Sequence, residues 1–193
     1  MALRQTALQY YRLREYAKAE SVLRRVLDRA FEVPDIHCHL ARICLLTDRD
    51  VEARDHAAQA WTARAEAPPY VAPRILWLQL AVALLEEREA SGRDKAGQGP
   101  TLFARPKGVL SKPSVPGSSE PPPVLLGRLK VALQKDGAVM EWTMQPVLDH
   151  LKPRLSTDSH ALLAALVAAL SDAKAAEKLG ALPAWRDAAP IEF

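Results

Sequence analysis

No stretch of this chain approaches about 20 consecutive apolar residues, so no segment is expected to cross a bilayer as a helix. The opening residues, MALRQTALQYYRLREYAK, carry Arg4, Arg12, Arg14 and Glu15 and lack the uncharged apolar core of a secretory signal. Cysteine is nearly missing as well. The two present, Cys38 and Cys44, stand six apart on a predicted helix, about 9 Å along its axis and on different faces, so they cannot bridge. Unpaired cysteines suit a reducing cytoplasm, the compartment expected here. An excess of one charge is also lacking. The 26 basic and 23 acidic side chains leave a net charge of +3. They are mixed throughout: residues 1–88 hold 13 basic and 12 acidic groups, and residues 124–193 hold 8 of each. No strong field toward nucleic acid or a membrane surface results, and neither is expected as a partner.

The signatures of enzyme and metal chemistry are thin. Gly92, Gly97 and Gly99 form a glycine cluster, but it follows no strand and lacks the Gly-Lys-Ser/Thr ending of a phosphate loop. Ser156, Asp158, Ser159 and His160 lie close together, yet a catalytic triad is a matter of geometry across a fold. Capping of a helix accounts for Ser156, Thr157 and Asp158. His37, Cys38, His39 and Cys44 are spaced one, two, five, six or seven apart, whereas ligand pairs on a helix stand three or four apart. No second His/Cys cluster completes four ligands. That stretch reads as a helix with a buried cysteine and exposed imidazoles. No catalytic residues, cofactor or metal are expected, and the chain reads as a non-enzyme.

What the chain does have is a repeat. Ala7 is matched by Ala41, Ala19 by Ala53, Val26 by Ala60 and Pro34 by Pro68, always at a spacing of 34, and Tyr10 is answered by the smaller Cys44. A period of 34 in an alanine- and leucine-rich stretch predicts helical hairpins that bury their apolar faces only by stacking. Within the first unit, Leu3, Ala7, Tyr10 and Tyr11 mark one apolar face. Val22, Leu23, Val26 and Leu27 mark a second, after a turn near Arg14 and Glu15.

The pattern Tyr16-x-x-Ala19, with Tyr10 and Tyr11 upstream, resembles the tetratricopeptide repeat, and Leu40, Ala41, Cys44, Ala53 and Ala60 repeat it. The likeness is clearest over residues 2–68. The copies are degenerate: Arg14 stands where the family prefers Gly, and His37 and Ala57 where it prefers bulkier residues. The resemblance implies an all-α fold, a right-handed superhelix of helical hairpins, and a role in binding proteins.

Further along, Pro73 starts a helix, RILWLQLAVALLEERE, apolar nearly all round and so expected in the middle of the stack. Residues 91–123 then hold seven Pro, five Gly and five Ser, a composition that predicts a flexible insertion over 91–122. After it, VLLGRLKVALQ has the length and stripe to serve as the second helix of a third hairpin. A surface insertion of that length adds little closure entropy. A fourth, looser hairpin follows. Pro146 fits near its first helix start, Pro153 forces a stop, and Thr157 or Asp158 caps a clean second helix. The hairpins thus fall at about 1–33, 35–67, 70–89 with 124–135, and 139–172, in one domain. Residues 174–193, with Leu179, Leu182 and Trp185, would seal the end.

In the family, the first helix of each hairpin lines the concave side. The register assigns Arg4, Leu8, Tyr11 and Arg12 to that face, then Cys38, Arg42 and Leu45, then Leu76 and Gln79. An apolar floor among three arginines suits an amphipathic, acidic segment of a partner protein. The same positions could be filled by the chain's own C-terminal part. One subtype grips a partner's terminal carboxylate with Asn and Lys; Leu8 stands where that Asn would be, so that activity is not carried over. The resulting expectation is a cytoplasmic adaptor or scaffold. The alternatives are a dedicated chaperone or regulatory subunit shielding one client helix and, less favoured, an enzyme with an unrecognised site.

Overall fold

The computed structural model describes residues 2–29, 33–66, 68, 71–96, 120–135 and 144–193, and all regular structure among them is helical. Two hairpins open the chain: α1 (Ala2–Arg12) with α2 (Tyr16–Leu27), then α3 (Val33–Leu46) with α4 (Asp50–Thr62). Each is closed by a short turn, and its two helices pack on each other. The four alanines of the repeat, Ala7, Ala19, Ala41 and Ala53, are all buried, as close approach of helices requires. Pro34 and Pro73 both sit in the first turn of a helix, where a missing N–H costs nothing.

The long helix α5 (Ala72–Ala96) and α6 (Pro122–Lys135) form the next pair, packed on each other across the intervening sequence. α5 runs on through Ala96, past the expected end at 89. The core of the expected insertion, residues 97–119, lies outside the described residues, as does Trp142. Ile75 to Leu85 are buried except for half-buried Gln79, which fits a helix enclosed by neighbours: α4 and α6, with α3 and α8 also against it.

The next helices are α7 (Gln145–Leu151), extended by a 3-10 turn at Lys152–Arg154, and α8 (Thr157–Ser171). Their cap differs from expectation by one position: Ser156, not Thr157 or Asp158, accepts from the Ser159 N–H at 3.1 Å. Both helices turn back onto earlier ones. α7 packs on α3, and α8 packs on α5, where Trp77 Nε1 donates to the Leu163 carbonyl at 3.2 Å. The short helices α9 (Ala173–Ala176) and α10 (Pro183–Asp187) follow, and residues 188–193 run back to α6 and α4.

Two apolar cores result. The smaller joins α1 and α2 to one side of α3 through Ala7, Leu23, Ile36, Leu40 and Ile43. The larger takes the other side of α3, through Cys38 and Leu45, together with α4 to α8. α3 is therefore the shared wall, and Pro34 to Leu45 are buried without a break.

Candidate functional site

The enclosure of α3 decides the fate of the polar residues on it. Asp35 and His39, one turn apart, face inward with Arg42. Arg4 of α1 reaches Asp35 at 2.5 Å, and Arg74, from the first turn of α5, stands 3.8 Å from it. Burial alone would raise the Asp35 carboxyl, but the His39 contact and the guanidiniums of Arg4 and Arg74 outweigh it and hold it at about 2. His39 is itself desolvated, and burial lowers its pKa. At neutral pH it therefore meets Asp35, at 3.5 Å, as a neutral ring, and the permanent charges beside the carboxylate are the two guanidiniums. Arg42 lies over the Tyr11 ring, 4.1 Å from its centroid, joining α3 to α1 by a desolvated cation–π contact.

A second buried polar contact links α3 to α4. His37 Nδ1 and His56 Nδ1 are 3.0 Å apart, so one ring must donate and the other accept. Burial lowers both rings, His37 to about 4, and keeps the pair neutral. The expected exposed imidazoles are thus corrected: His37 and His39 are both buried, because helices cover α3 on every side.

Of the nine residues assigned to the first-helix face, four are sealed. Cys38, Arg42, Leu45 and Leu76 are at most 1% exposed, so a partner cannot touch them in this conformation. Neighbouring helices do the sealing, α7 among them: Val147, Leu148 and Leu151 are buried and belong to the same core as Cys38, Leu45 and Leu76. At its far end, His150 and Arg154 contact Asp48 at 3.0 and 2.8 Å, and Arg154 also pairs with Asp50. Arg4, Leu8, Tyr11 and Gln79 remain half-buried, and Arg12 is exposed. The accessible part of the face therefore lies mostly on α1.

No family model, curated protein or solved structure matches this chain.

The chemistry open to these groups is limited by their burial. The Cys38 thiol is pushed up by desolvation, and Cys44 is pushed up to about 11, so neither is a thiolate nucleophile near neutral pH. Among the described residues no three His, Cys, Asp or Glu side chains converge as a metal site would need, and no helix is long and apolar enough to cross a membrane. The Asp35 cluster went unread in the sequence, although Asp35 and His39 stand four apart on one helix face. Arg4 lies a full helical hairpin before Asp35 in the chain and Arg74 a full hairpin after it, and only the packing brings them there.

Proposed function

We propose that this chain is a non-enzymatic adaptor of the tetratricopeptide-repeat type, a superhelix of hairpins that binds a segment of a partner protein on its first-helix face. The observation that supports this reading most is the seat of α7. A short amphipathic helix lies on α3 with Val147, Leu148 and Leu151 buried, and basic side chains at its end meet Asp48 and Asp50. A surface of first helices that seats one amphipathic helix in cis suits a second amphipathic helix in trans. The portion left to a partner is on α1, where Leu8 and Tyr11 offer apolar area and Arg12 an exposed charge, favouring an acidic amphipathic segment. Recognition on rigid helices needs no cofactor. The protonated, unbridged cysteines fit a cytoplasmic setting.

Photo-crosslinking tests the reading. A benzophenone side chain in place of Leu8 should capture partner segments in native cells, and Arg12→Glu should reduce the yield severalfold. The same group at Ser21, on α2, serves as the control. Equal capture from both positions would refute the assignment. One stoichiometric client, instead of several components of a complex, would favour a dedicated chaperone.

A further inference from the structure

Helix α6 holds a glycine, Gly127, at a buried interior position, where glycine favours the helix less than alanine does. The reason lies outside the helix. The backbone of residues 188–191 crosses at that point. A Cβ on Gly127 would overlap the Ala189 carbonyl oxygen and stand 2.9 Å from Cγ1 of Ile191. The Gly127 carbonyl accepts from the Ile191 N–H at 3.1 Å. One turn away, Lys130 Nζ donates to the carbonyls of Ala188 at 2.5 Å and Arg186 at 3.2 Å. Phe193 then reaches Trp61 of α4, with ring centroids 5.1 Å apart. The guanidiniums of Arg64 and Arg128 stand 4.2 and 5.3 Å from the same indole. A main-chain hydrogen bond, a lysine held by main-chain carbonyls and a side-chain anchor at the segment's end are ingredients of extended-peptide recognition.

The site is better built than its occupant is held. Of residues 188–193 only Ala188 is buried and Ile191 half-buried; the others are exposed. The hydrogen bonds just named and that little burial make an element that opens without unfolding the rest. Beside it runs a cleft of about 400 Å³ bounded by Lys130, Leu133, Leu179, Trp185 and Pro190, room for a side chain larger than the strap supplies.

We propose that the strip of α4 and α6 from Lys130 past Gly127 to Trp61 is a docking site for an extended, acidic segment of another protein, and that residues 188–193 occupy it in cis as a displaceable strap. The strap's own order, Ala188-Ala189-Pro190-Ile191-Glu192-Phe193, defines the ligand chemistry. Small residues cross Gly127, a branched apolar residue follows, an acidic residue precedes the last ring in sequence, and that aromatic ring meets Trp61, beside which stand the guanidiniums of Arg64 and of Arg128, the latter paired with Glu120. A partner that keeps this order and fills the cleft beside Leu133 and Trp185 displaces the strap. The strip lies on second helices of hairpins, apart from the α1 face, and does not depend on the reading given to that face.

The probe is a fluorescein-labelled peptide of residues 186–193, titrated by anisotropy onto the full chain. The variant I191D/F193A, whose strap no longer fits, should bind the peptide at least tenfold more tightly than the wild type, where the strap competes. Adding Gly127→Ala should abolish that binding by placing a methyl group in the peptide's path, while favouring the helix. Lys130→Met, through a separate contact, should weaken it about tenfold, and so should a Glu192→Lys change in the peptide. The proposal is overturned if the peptide fails to bind the strap variant at millimolar concentration. It is equally overturned if binding survives both Gly127→Ala and Lys130→Met.

Discussion

Arg14 and Asp48 stand one repeat period apart, each in the turn between the two helices of a hairpin, and both hold a left-handed backbone, with φ of 60° and 58°. They are the only such non-glycine residues among those described. The turn that links α1 to α2 and the turn that links α3 to α4 therefore share one conformation, at the spacing of the alanine repeat. Neither turn has the glycine this conformation favours, so each holds backbone strain of about 1 kcal/mol or more. Asp48 has a compensating use, since its carboxylate meets His150 and Arg154 and ties the turn to the α7 end. The exposed Arg14 has no comparable anchor among the described contacts.

Replacing Arg14 by Gly should therefore stabilise the protein by about 0.5–1 kcal/mol in urea unfolding. Asp48→Gly should gain less or lose slightly, because its exposed ion pairs contribute up to about 1 kcal/mol. A loss of stability in Arg14→Gly would show that the side chain carries a contact worth more than the strain.

Ala19 and Ala53 sit at equivalent helix crossings and are fully buried. Leucine at either position should overpack the crossing and cost about 1–3 kcal/mol. Thermal and urea melts check this. If both substitutions proved neutral, the helices would not approach as closely there as the packing requires.

The buried histidines give stability a pH dependence of definite sign. Burial lowers His37 from 6.5 to about 4, with His56 adding to the shift, and burial also lowers His56, with Arg24 adding to it and Glu20, Glu52 and Asp55 opposing it. The unfolded chain binds protons first, so this contribution is complete above pH about 6.5 and is lost as pH falls toward 4, by about 1–3 kcal/mol. Asp35, held at about 2, adds a second loss of about 2 kcal/mol as pH falls from about 4 toward 2. Urea melts between pH 7 and 4 should show the first slope, to which buried His39, also lowered, adds its share, and the double variant H37L/H56L should reduce the slope without abolishing it. An unchanged slope in that variant would assign the dependence to other groups.

The pairing of α5 with α6 predicts the outcome of cutting between them. Leu78, Val82 and Leu85 belong to the same core as Leu125 and Leu129, and apolar side chains of this size contribute about 1.5–3 kcal/mol each when buried. A protease site placed within residues 97–119 should give two fragments that co-elute in native buffer after cleavage. Fragments that separate as two folded pieces would refute the single core.

The helices and the pairing of neighbours into hairpins were legible because periodicity is local. An apolar stripe on one helix marks its buried face whatever lies opposite, and a small residue at each crossing recurs with the repeat. The same reasoning identified α5 as enclosed, since that helix is apolar on nearly every side. It missed the equal enclosure of α3, which carries Asp35, His37, His39 and Arg42 and so reads as half-exposed in one dimension. Those residues are buried only because Arg4, Tyr11, His56 and Arg74 arrive from other helices to meet them, and such partners have no local spacing to betray them. The seat of α7 on α3 and the strap across Gly127 belong to the same class. A glycine within a helix and a proline-bearing tail are visible in the chain. Their contact is set by long-range packing, where the loss of one Cβ on α6 admits the backbone of Ala189 and Ile191 from the far end of the chain.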